Sequence, residues 1–108
     1  MAAHVFNVTE SNWDSEVAAS ELPVLLDFWA PWCGSCIALE PAVEALAHAY
    51  AGQVKVAKVN VDDNKALAER FGVRGIPRLV LVRGGERAAE LLGRTRTRIA
   101  DELDGHLA

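Results

Sequence analysis

The sequence is poor in cysteine, histidine and basic residues, and it has no long hydrophobic run. Two of its 108 residues are cysteine and three are histidine. Eleven Lys and Arg residues stand against fifteen Asp and Glu residues, which gives a net charge of −4 and a pI near 5.3. Phosphate binding needs a dense basic surface, so this balance argues against nucleic acid as a partner. The short cluster of Arg94, Arg96 and Arg98 is interpreted as a solvated face.

No apolar segment approaches the ~20 residues of a membrane-spanning helix, so we expect no membrane association.

The start of the chain lacks a leader signature. Met1-Ala2-Ala3-His4-Val5-Phe6-Asn7 has no basic region followed by an apolar core, as a secretory signal requires. Apolar residues make up 51% and charged residues 24%, which is typical of a globular domain. We find no repeat, linker or low-complexity segment, so residues 1–108 are expected to form one domain. We therefore expect a cytoplasmic protein and, at this size and acidity, a monomer.

Helix-like and strand-like segments alternate along the chain. Capping and helix-ending residues predict helices over 13–20 and 65–71, and apolar spacing predicts helices over 36–50 and 97–107. Apolar runs predict strands over 24–30, 54–61, 79–83 and 87–92. Ser11 or Asn12 is expected to cap the first helix, and Asp62-Asp63-Asn64 the third. Pro41 is expected to kink the second helix, and Gly84-Gly85-Glu86 to turn the final hairpin. The order predicts an α/β fold with a central mixed sheet flanked by helices on both faces.

The two cysteines stand at 33 and 36, between a predicted strand and a predicted helix. A disulfide that closes so short a loop removes little chain entropy, so it adds little to stability. A cysteine at a helix N-terminus meets free backbone N–H groups and the positive end of the helix dipole, and both stabilise a thiolate. At this spacing the two Cβ atoms lie ~5–6 Å apart, close to what a disulfide needs. Cys33 and Cys36 are therefore placed to form and break a disulfide.

Two other interpretations of the pair remain open from the residues alone. A metal site needs about four ligands, but His4, His48 and His106 have no paired-ligand spacing, so we expect no metal. The cysteines could also be two unrelated buried residues. The strand–turn–helix setting favours redox chemistry over both.

Three stretches of the chain closely resemble the thioredoxin family. They are Asp27-Phe28-Trp29-Ala30-Pro31-Trp32-Cys33-Gly34-Ser35-Cys36, Val56-Ala57-Lys58-Val59-Asn60-Val61-Asp62 and Phe71-Gly72-Val73-Arg74-Gly75-Ile76-Pro77, with Gly84-Gly85 and Gly93 following at family positions. The resemblance covers nearly the whole chain. It implies the thioredoxin fold and a general protein-disulfide reductase that carries electrons in cell redox homeostasis. It implies no metal or organic cofactor. The implied partners are disulfide-containing proteins and a flavin-containing thioredoxin reductase.

The resemblance also implies roles for individual residues. Cys33 resembles the exposed attacking thiol and Cys36 the buried resolving thiol of dithiol–disulfide exchange. Asp27 matches the buried aspartate that takes a proton from Cys36, which fits a carboxyl group whose pKa is raised by burial. The alternative is an aspartate at a solvated strand end. Lys58 matches the lysine near that aspartate, and the alternative is an exposed strand lysine.

A substrate-contact surface around Cys33 is implied in the same way. It comprises Trp32, Gly34, Ser35, Ile76, Pro77 and Gly93. Ile76-Pro77 resembles the family's cis-proline loop, whose backbone pairs with an extended substrate segment much as an added strand does. Trp29 is expected to pack beneath the site instead of contacting substrate.

Three residues depart from the family pattern. Ser35 stands where proline is common, and its hydroxyl is expected to stabilise the reduced thiolate and raise the reduction potential above ~−270 mV, the general value for thioredoxin. Ile37 replaces a common lysine and enlarges the apolar patch. Arg78 replaces a common threonine, and it either favours acidic partners and supports the Cys33 thiolate or is a neutral surface change. Alternative functions are an oxidase or isomerase, and a binding subunit that uses the apolar patch without thiol chemistry.

Overall fold

A computed structural model describes residues 4–108. The prediction of a missing leader rests in part on residues 1–3, which lie outside this range. The strands are β1 (Val5–Asn7), β2 (Val24–Trp29), β3 (Lys55–Asn60), β4 (Arg78–Arg83) and β5 (Glu86–Leu91), the helices are α1 (Gly34–Ala49), α2 (Lys65–Arg70) and α3 (Arg96–Leu107), and Asp14–Ala18 forms a π-helical turn. No helix in this part of the chain is long and apolar enough to cross a membrane.

The five strands form one mixed sheet in the order β1-β3-β2-β4-β5. β3 pairs in parallel with β1 and β2, whereas β4 pairs antiparallel with β2 and β5. β2 is therefore the middle strand, and all but one of its residues are buried, as expected for a strand covered on both faces. The predicted α/β fold with a mixed sheet is confirmed.

Side-chain alternation along the central strands decides which groups face α1. Leu26 and Phe28 pack in one core cluster with the π-helical turn and α2, whereas Leu25 packs in the other with α1 and α3. Because side chains alternate along a strand, Asp27 projects to the same side as Leu25. Lys58 follows Val56 on β3 in the same way. Asp27 and Lys58 thus lie together on the face that α1 covers.

The N-terminal region differs most from the sequence prediction. Strand β1 was not predicted, since three residues are too few to show a period, and its register with β3 aligns Val5 with Val56. The first helix is a single turn, Asp14–Ala18, and no side chain caps it. The predicted capping residue Asn12 instead accepts a hydrogen bond from the Thr9 backbone N–H at 2.7 Å.

Helix α2 is capped by a residue distant in sequence. Asn64 precedes the helix but its side chain makes no capping bond. Its Oδ1 instead accepts from the Glu10 N–H at 3.0 Å. The Glu10 carboxylate in turn accepts from the Ala66 N–H at 2.8 Å. The local capping prediction for α2 was therefore wrong, because a side chain 56 positions away from Ala66 supplies the acceptor.

Candidate active site

The two cysteines lie where β2 leads into α1. Cys33 is the N-cap residue of α1, and its Sγ accepts a hydrogen bond from the Cys36 N–H at 3.2 Å. The Cys33 N–H itself donates to Ala30 O at 3.1 Å, which closes the turn that follows β2. Cys33 and Cys36 form a disulfide across a Cα–Cα distance of 5.2 Å. Helix α1 begins two residues earlier than predicted, and Cys33 sits at its end as expected.

Both sulfur atoms are shielded in this oxidised state. Cys33 is 6% exposed and Cys36 is 1% exposed, and they pack with Trp29, Val61 and Ile76. The prediction of an exposed Cys33 is therefore wrong for the disulfide form. Cys33 is still the more accessible of the two cysteines. A partner must dock closely on this surface to reach its sulfur.

The loop before β4 contacts the disulfide directly. Its Ile76-Pro77 peptide bond is cis, as the resemblance implies. Ile76 O lies 3.8 Å from Cys33 Sγ. The Arg94 guanidinium donates to Pro77 O at 3.1 Å and also binds the carbonyls of Leu91 and Gly93. Arg94 thus ties this loop to the segment after β5, a contact that sequence spacing did not reveal.

The surface around the disulfide is apolar and exposed. Trp32 is 69% exposed and Ile37 is 43% exposed. Trp32 is held in place because its Nε1–H donates to Asp62 Oδ2 at 2.9 Å. Ser35 Oγ lies 3.5 Å from Cys33 Sγ. A hydroxyl at that distance can donate to a sulfur that bears negative charge.

Asp27 is a buried carboxyl group on β2, the strand that leads into the cysteine turn, and it lies on the face that α1 covers. It is 2% exposed, and its Oδ1 has no hydrogen-bond partner among residues 4–108. Burial raises the pKa of Asp27 to about 6; Lys58 and Arg94 oppose that increase and Glu40 adds to it. The alternative of a solvated strand end is excluded. A carboxyl group with this pKa can accept and release a proton near neutral pH.

Lys58 pairs with a carboxylate of α1. Its Nζ lies 2.7 Å from Glu40 Oε2 and 4.0 Å from the centre of the Trp29 ring. The lysine side chain is 15% exposed and that of Glu40 34%. The alternative of an exposed strand lysine is therefore wrong. Glu40 was not singled out from the sequence, although it lies one helical turn beyond Cys36.

The comparisons with known proteins agree with this geometry. The sequence model of the Thioredoxin family matches residues 4–105. The chain belongs to the thioredoxin family. A thioredoxin of Haemophilus influenzae is 42% identical over 106 residues, which span 97% of this chain and 99% of that protein. Thioredoxin 1 of Synechococcus elongatus is 45% identical over 93% of this chain and 94% of that protein. Thioredoxin M5, chloroplastic, of Oryza sativa subsp. japonica is 41% identical over 92% of this chain and 58% of that protein.

Membership of the thioredoxin family gives the chemistry of the Cys33–Cys36 pair. Thioredoxins are protein-disulfide oxidoreductases, and this pair has the C-x-x-C spacing and lies at disulfide distance. The chain is a thiol–disulfide oxidoreductase with a thioredoxin fold. Within residues 4–108, no group of three or more His, Cys, Asp and Glu side chains is arranged to hold a metal ion.

Two residues noted from the thioredoxin resemblance lie in unexpected surroundings. Gly93 is buried against α3, and its N–H donates to Glu102 Oε2 at 2.6 Å. A Cβ at this position would lie 2.7 Å from that oxygen and 2.8 Å from Arg98 Cβ. The guanidinium of Arg78 binds Glu90, with Nε 3.3 Å from Oε2. The charge of Arg78 is therefore paired with a carboxylate of β5 in the disulfide form.

Proposed function

We propose that this thioredoxin-family protein reduces disulfide bonds in other proteins, with Cys33 as the attacking thiol and Cys36 as the resolving thiol. The observation that carries the assignment is the position of Cys33 at the end of α1. There the Cys36 N–H points at its sulfur from 3.2 Å. The same N–H and the helix dipole stabilise negative charge on that sulfur after reduction.

In the first step, the Cys33 thiolate attacks one sulfur of a substrate disulfide. A bond forms between Cys33 Sγ and that sulfur, and the other substrate sulfur leaves as a thiolate. Trp32, Gly34, Ser35, Ile76, Pro77 and Gly93 are proposed to form the surface that receives the substrate segment. The exposed Trp32 ring supplies apolar contact area, and the carbonyl of Ile76 beside the sulfur suits backbone pairing. Gly93 is buried, and its N–H and C=O are bonded to Glu102 and Arg94, so any contact that it makes is expected to be apolar.

In the second step, Cys36 resolves the mixed disulfide. Its thiol must lose a proton before it attacks Cys33 Sγ, and the buried Asp27 carboxylate is proposed to accept that proton. The Cys33–Cys36 disulfide forms, and the second substrate sulfur leaves. Lys58 is proposed as a secondary residue that adjusts the charge beside Asp27. No metal or organic cofactor takes part in either step.

The proposed partners are disulfide-containing proteins and a thioredoxin reductase that returns two electrons to the Cys33–Cys36 disulfide. The proposed setting is a monomeric, single-domain protein in the cytoplasm that carries electrons for cell redox homeostasis. The net charge of −4 supports the absence of a nucleic-acid partner.

The proposed function is tested by turnover with a disulfide-linked protein and an excess of a small dithiol reductant. Wild-type protein is expected to accelerate the reduction. Cys33→Ser is expected to abolish that acceleration, because the attacking thiol is lost. Cys36→Ser is expected to lose most of the acceleration, because only the added dithiol can then release Cys33 from the mixed disulfide. Acceleration by the variant that lacks both thiols would instead indicate a docking function that does not need them.

A second candidate function, that of an oxidase or isomerase, is favoured by one observation. The Ser35 hydroxyl lies 3.5 Å from Cys33 Sγ. A donor there stabilises the reduced form, which makes the disulfide a stronger oxidant. Net oxidation of a reduced, unfolded substrate by the disulfide form, against a glutathione buffer, distinguishes this function from reduction.

A further inference from the structure

A small cavity connects the buried aspartate to helix α1. Its volume is about 20 Å³, and it is lined by Val5, Asp27, Glu40, Val43, Glu44 and Lys58. A cavity needs at least ~10–15 Å³ of free volume to hold a water molecule, which also needs two to four polar partners. Both conditions are met, since the polar lining groups are three carboxyl groups and an ammonium group. Asp27 is only 2% exposed, and its Oδ1, which has no hydrogen-bond partner within residues 4–108, is available to a water molecule in this cavity.

Glu40 joins this cavity to the solvent. Its Oε2 is 2.7 Å from Lys58 Nζ, and its side chain is 34% exposed. Cys36 and Glu40 are four residues apart on α1, and residues at this spacing lie above one another on one helix face. The helix therefore carries the resolving cysteine and a half-buried carboxylate on the side that covers Asp27.

A proton taken up by Asp27 needs a route out of the protein. The carboxyl group is almost completely buried, and its Oδ1 has no protein partner within residues 4–108 to which it could pass the proton. Glu40 lines the cavity, its side chain is 34% exposed, and Lys58 holds its carboxylate in place at 2.7 Å.

We propose that this cavity holds one water molecule that links Asp27 to Glu40, and that Glu40 passes the proton released by Cys36 to the solvent. This inference rests on the proposed roles of Cys36 and Asp27. Glu40 acts through Asp27 and does not touch the reacting sulfur atoms, so it is a positioning and relay residue.

The proton balance of the second step follows. The Cys36 thiol transfers its proton to the Asp27 carboxylate, and the Cys36 thiolate forms the bond to Cys33 Sγ while the bond to the substrate sulfur breaks. The Asp27 carboxylic acid then donates its proton to the water, which gives a proton to Glu40. Glu40 releases it to bulk solvent. Lys58 keeps its positive charge throughout, and no oxidant beyond the substrate disulfide is consumed.

The charged groups around Asp27 come from every element packed on it. Lys58 lies on β3, Glu40 and Glu44 on α1, and Arg94 in the segment after β5. Burial raises the pKa of Asp27 to about 6, so the group can take up and release a proton near neutral pH. Below about pH 6, Asp27 must lose its own proton before it can accept that of Cys36, so the relay is expected to limit the second release there.

The test follows the resolving step alone. Below about pH 6, where Asp27 is mostly protonated, reduced protein is mixed with a symmetrical aromatic disulfide whose thiolate absorbs visible light. Attack by Cys33 and attack by Cys36 then each release one arylthiolate. Glu40→Gln is expected to slow the second release about tenfold and to leave the first release unchanged. This is less than the ~10²–10⁴-fold effect of a group that transfers a proton directly to or from the reacting atoms, because Glu40 acts through Asp27. Glu16→Gln is the matched control. Glu16 pairs at 2.9 Å with Lys55, which lies on β3 like Lys58, and the side-chain exposures of 36% for Glu16 and 18% for Lys55 are close to those of the Glu40–Lys58 pair.

A merely structural role of Glu40 is separated by chemical rescue. Formate, a small proton acceptor, is expected to restore the second release in Glu40→Gln in proportion to its concentration, without effect on Glu16→Gln. The solvent deuterium isotope effect on this phase is expected to increase in Glu40→Gln. A second release in Glu40→Gln as fast as in Glu16→Gln, or a slow one that formate does not restore, overturns the relay.

Failure of the relay and failure of the proposed function give different results. If Asp27→Asn slows the second release but Glu40→Gln does not, the relay is overturned and the role of Asp27 stands. If Asp27→Asn also leaves the second release unchanged, the role of Asp27 fails together with the relay. If no arylthiolate is released at all, dithiol exchange itself is excluded.

Discussion

Asp27 lies directly opposite Lys58 in the parallel pairing of β2 with β3. The lysine ammonium nevertheless binds Glu40, at 2.7 Å, and Asp27 Oδ1 has no partner within the described part of the chain. The negative charge of Asp27 is therefore poorly compensated, which is why burial outweighs attraction and raises its pKa to about 6. The raised pKa lets Asp27 exchange a proton near neutral pH, but the buried charge lowers the free energy of unfolding.

Asp27→Asn is predicted to stabilise the disulfide form at neutral and basic pH. An acid whose folded pKa is raised binds more protons folded than unfolded between the two pKa values, so stability falls as pH rises through that window. From 3.8 to about 6 the shift corresponds to a cost of about 3 kcal/mol in the unfolding free energy above the window. The amide carries no charge and avoids this cost.

The measurement is denaturant unfolding of the oxidised protein at several pH values. The advantage of Asp27→Asn is expected to be largest near pH 8 and to decline to nothing below the unfolded pKa value of 3.8, where aspartate is protonated in both states. Glu21→Gln, at an exposed position, is the control and should show no such trend. An advantage that is the same at both pH values contradicts the burial of a charged Asp27.

Ser35→Ala is predicted to make the reduction potential more negative. The Ser35 hydroxyl lies 3.5 Å from Cys33 Sγ, and losing a hydrogen bond to a thiolate destabilises the reduced form. A hydrogen bond to a charged group is worth ~1.5 kcal/mol or more, and about 30 mV corresponds to ~1.4 kcal/mol for two electrons. Equilibration with glutathione, followed by tryptophan fluorescence, measures the shift. Ser15→Ala is the control, and equal potentials for both variants would refute the tuning role.

Gly93→Ala is predicted to destabilise the fold. The added Cβ would lie 2.7 Å from Glu102 Oε2, 2.8 Å from Arg98 Cβ and 3.0 Å from the Arg98 backbone carbon, so α3 must shift. Overpacking of this kind costs ~1–3 kcal/mol.

The matched control for Gly93→Ala is Gly105→Ala, within α3. A Cβ at position 105 meets no atom within 4 Å. Alanine is the better helix former by ~1 kcal/mol, so this control should be neutral or stabilising. Thermal unfolding of both variants checks the difference, and equal midpoints would show that α3 tolerates the extra carbon.

Arg94→Gln is predicted to weaken substrate binding. Its guanidinium donates to Pro77 O at 3.1 Å and fixes the loop that lies beside Cys33. Losing a charged hydrogen bond there costs ~1.5 kcal/mol, which is about a tenfold decrease in kcat/KM. Steady-state kinetics with a disulfide-linked protein measure this, with the exposed Arg96→Gln as the control. A change in kcat alone would assign Arg94 to chemistry instead of binding.

Much of the fold could be predicted from local sequence patterns. The buried run over β2 and the spacing of Leu39, Val43 and Leu46 on α1 identify a central strand and the helix that covers it. The position of Cys33 at the helix end followed from the same local pattern. The cis peptide bond at Ile76-Pro77 was predicted only from the family resemblance, because the local sequence does not distinguish a cis from a trans X–Pro bond.

The contacts that could not be predicted join residues distant in sequence. Glu10 caps α2 at Ala66, and Glu40 binds Lys58. Neither contact could be predicted from the sequence, because the partners come together only when the elements that carry them pack against each other. Arg94 was interpreted as part of a solvated cluster, yet its guanidinium holds Pro77 O because the chain after β5 returns to the site. Strand β1 forms by pairing with β3, and its three residues are too few to show a strand pattern in the sequence.

The most direct test is to trap the mixed disulfide and map it. Cys36→Ser is reduced, mixed with a disulfide-linked protein and digested, and the joined peptides are identified by mass spectrometry. The predicted result is one covalent adduct, through Cys33, that persists in the variant and is resolved in the wild type. No adduct, or an adduct through Cys36 in the reciprocal Cys33→Ser variant at an equal rate, would contradict the assignment of Cys33 as the attacking thiol.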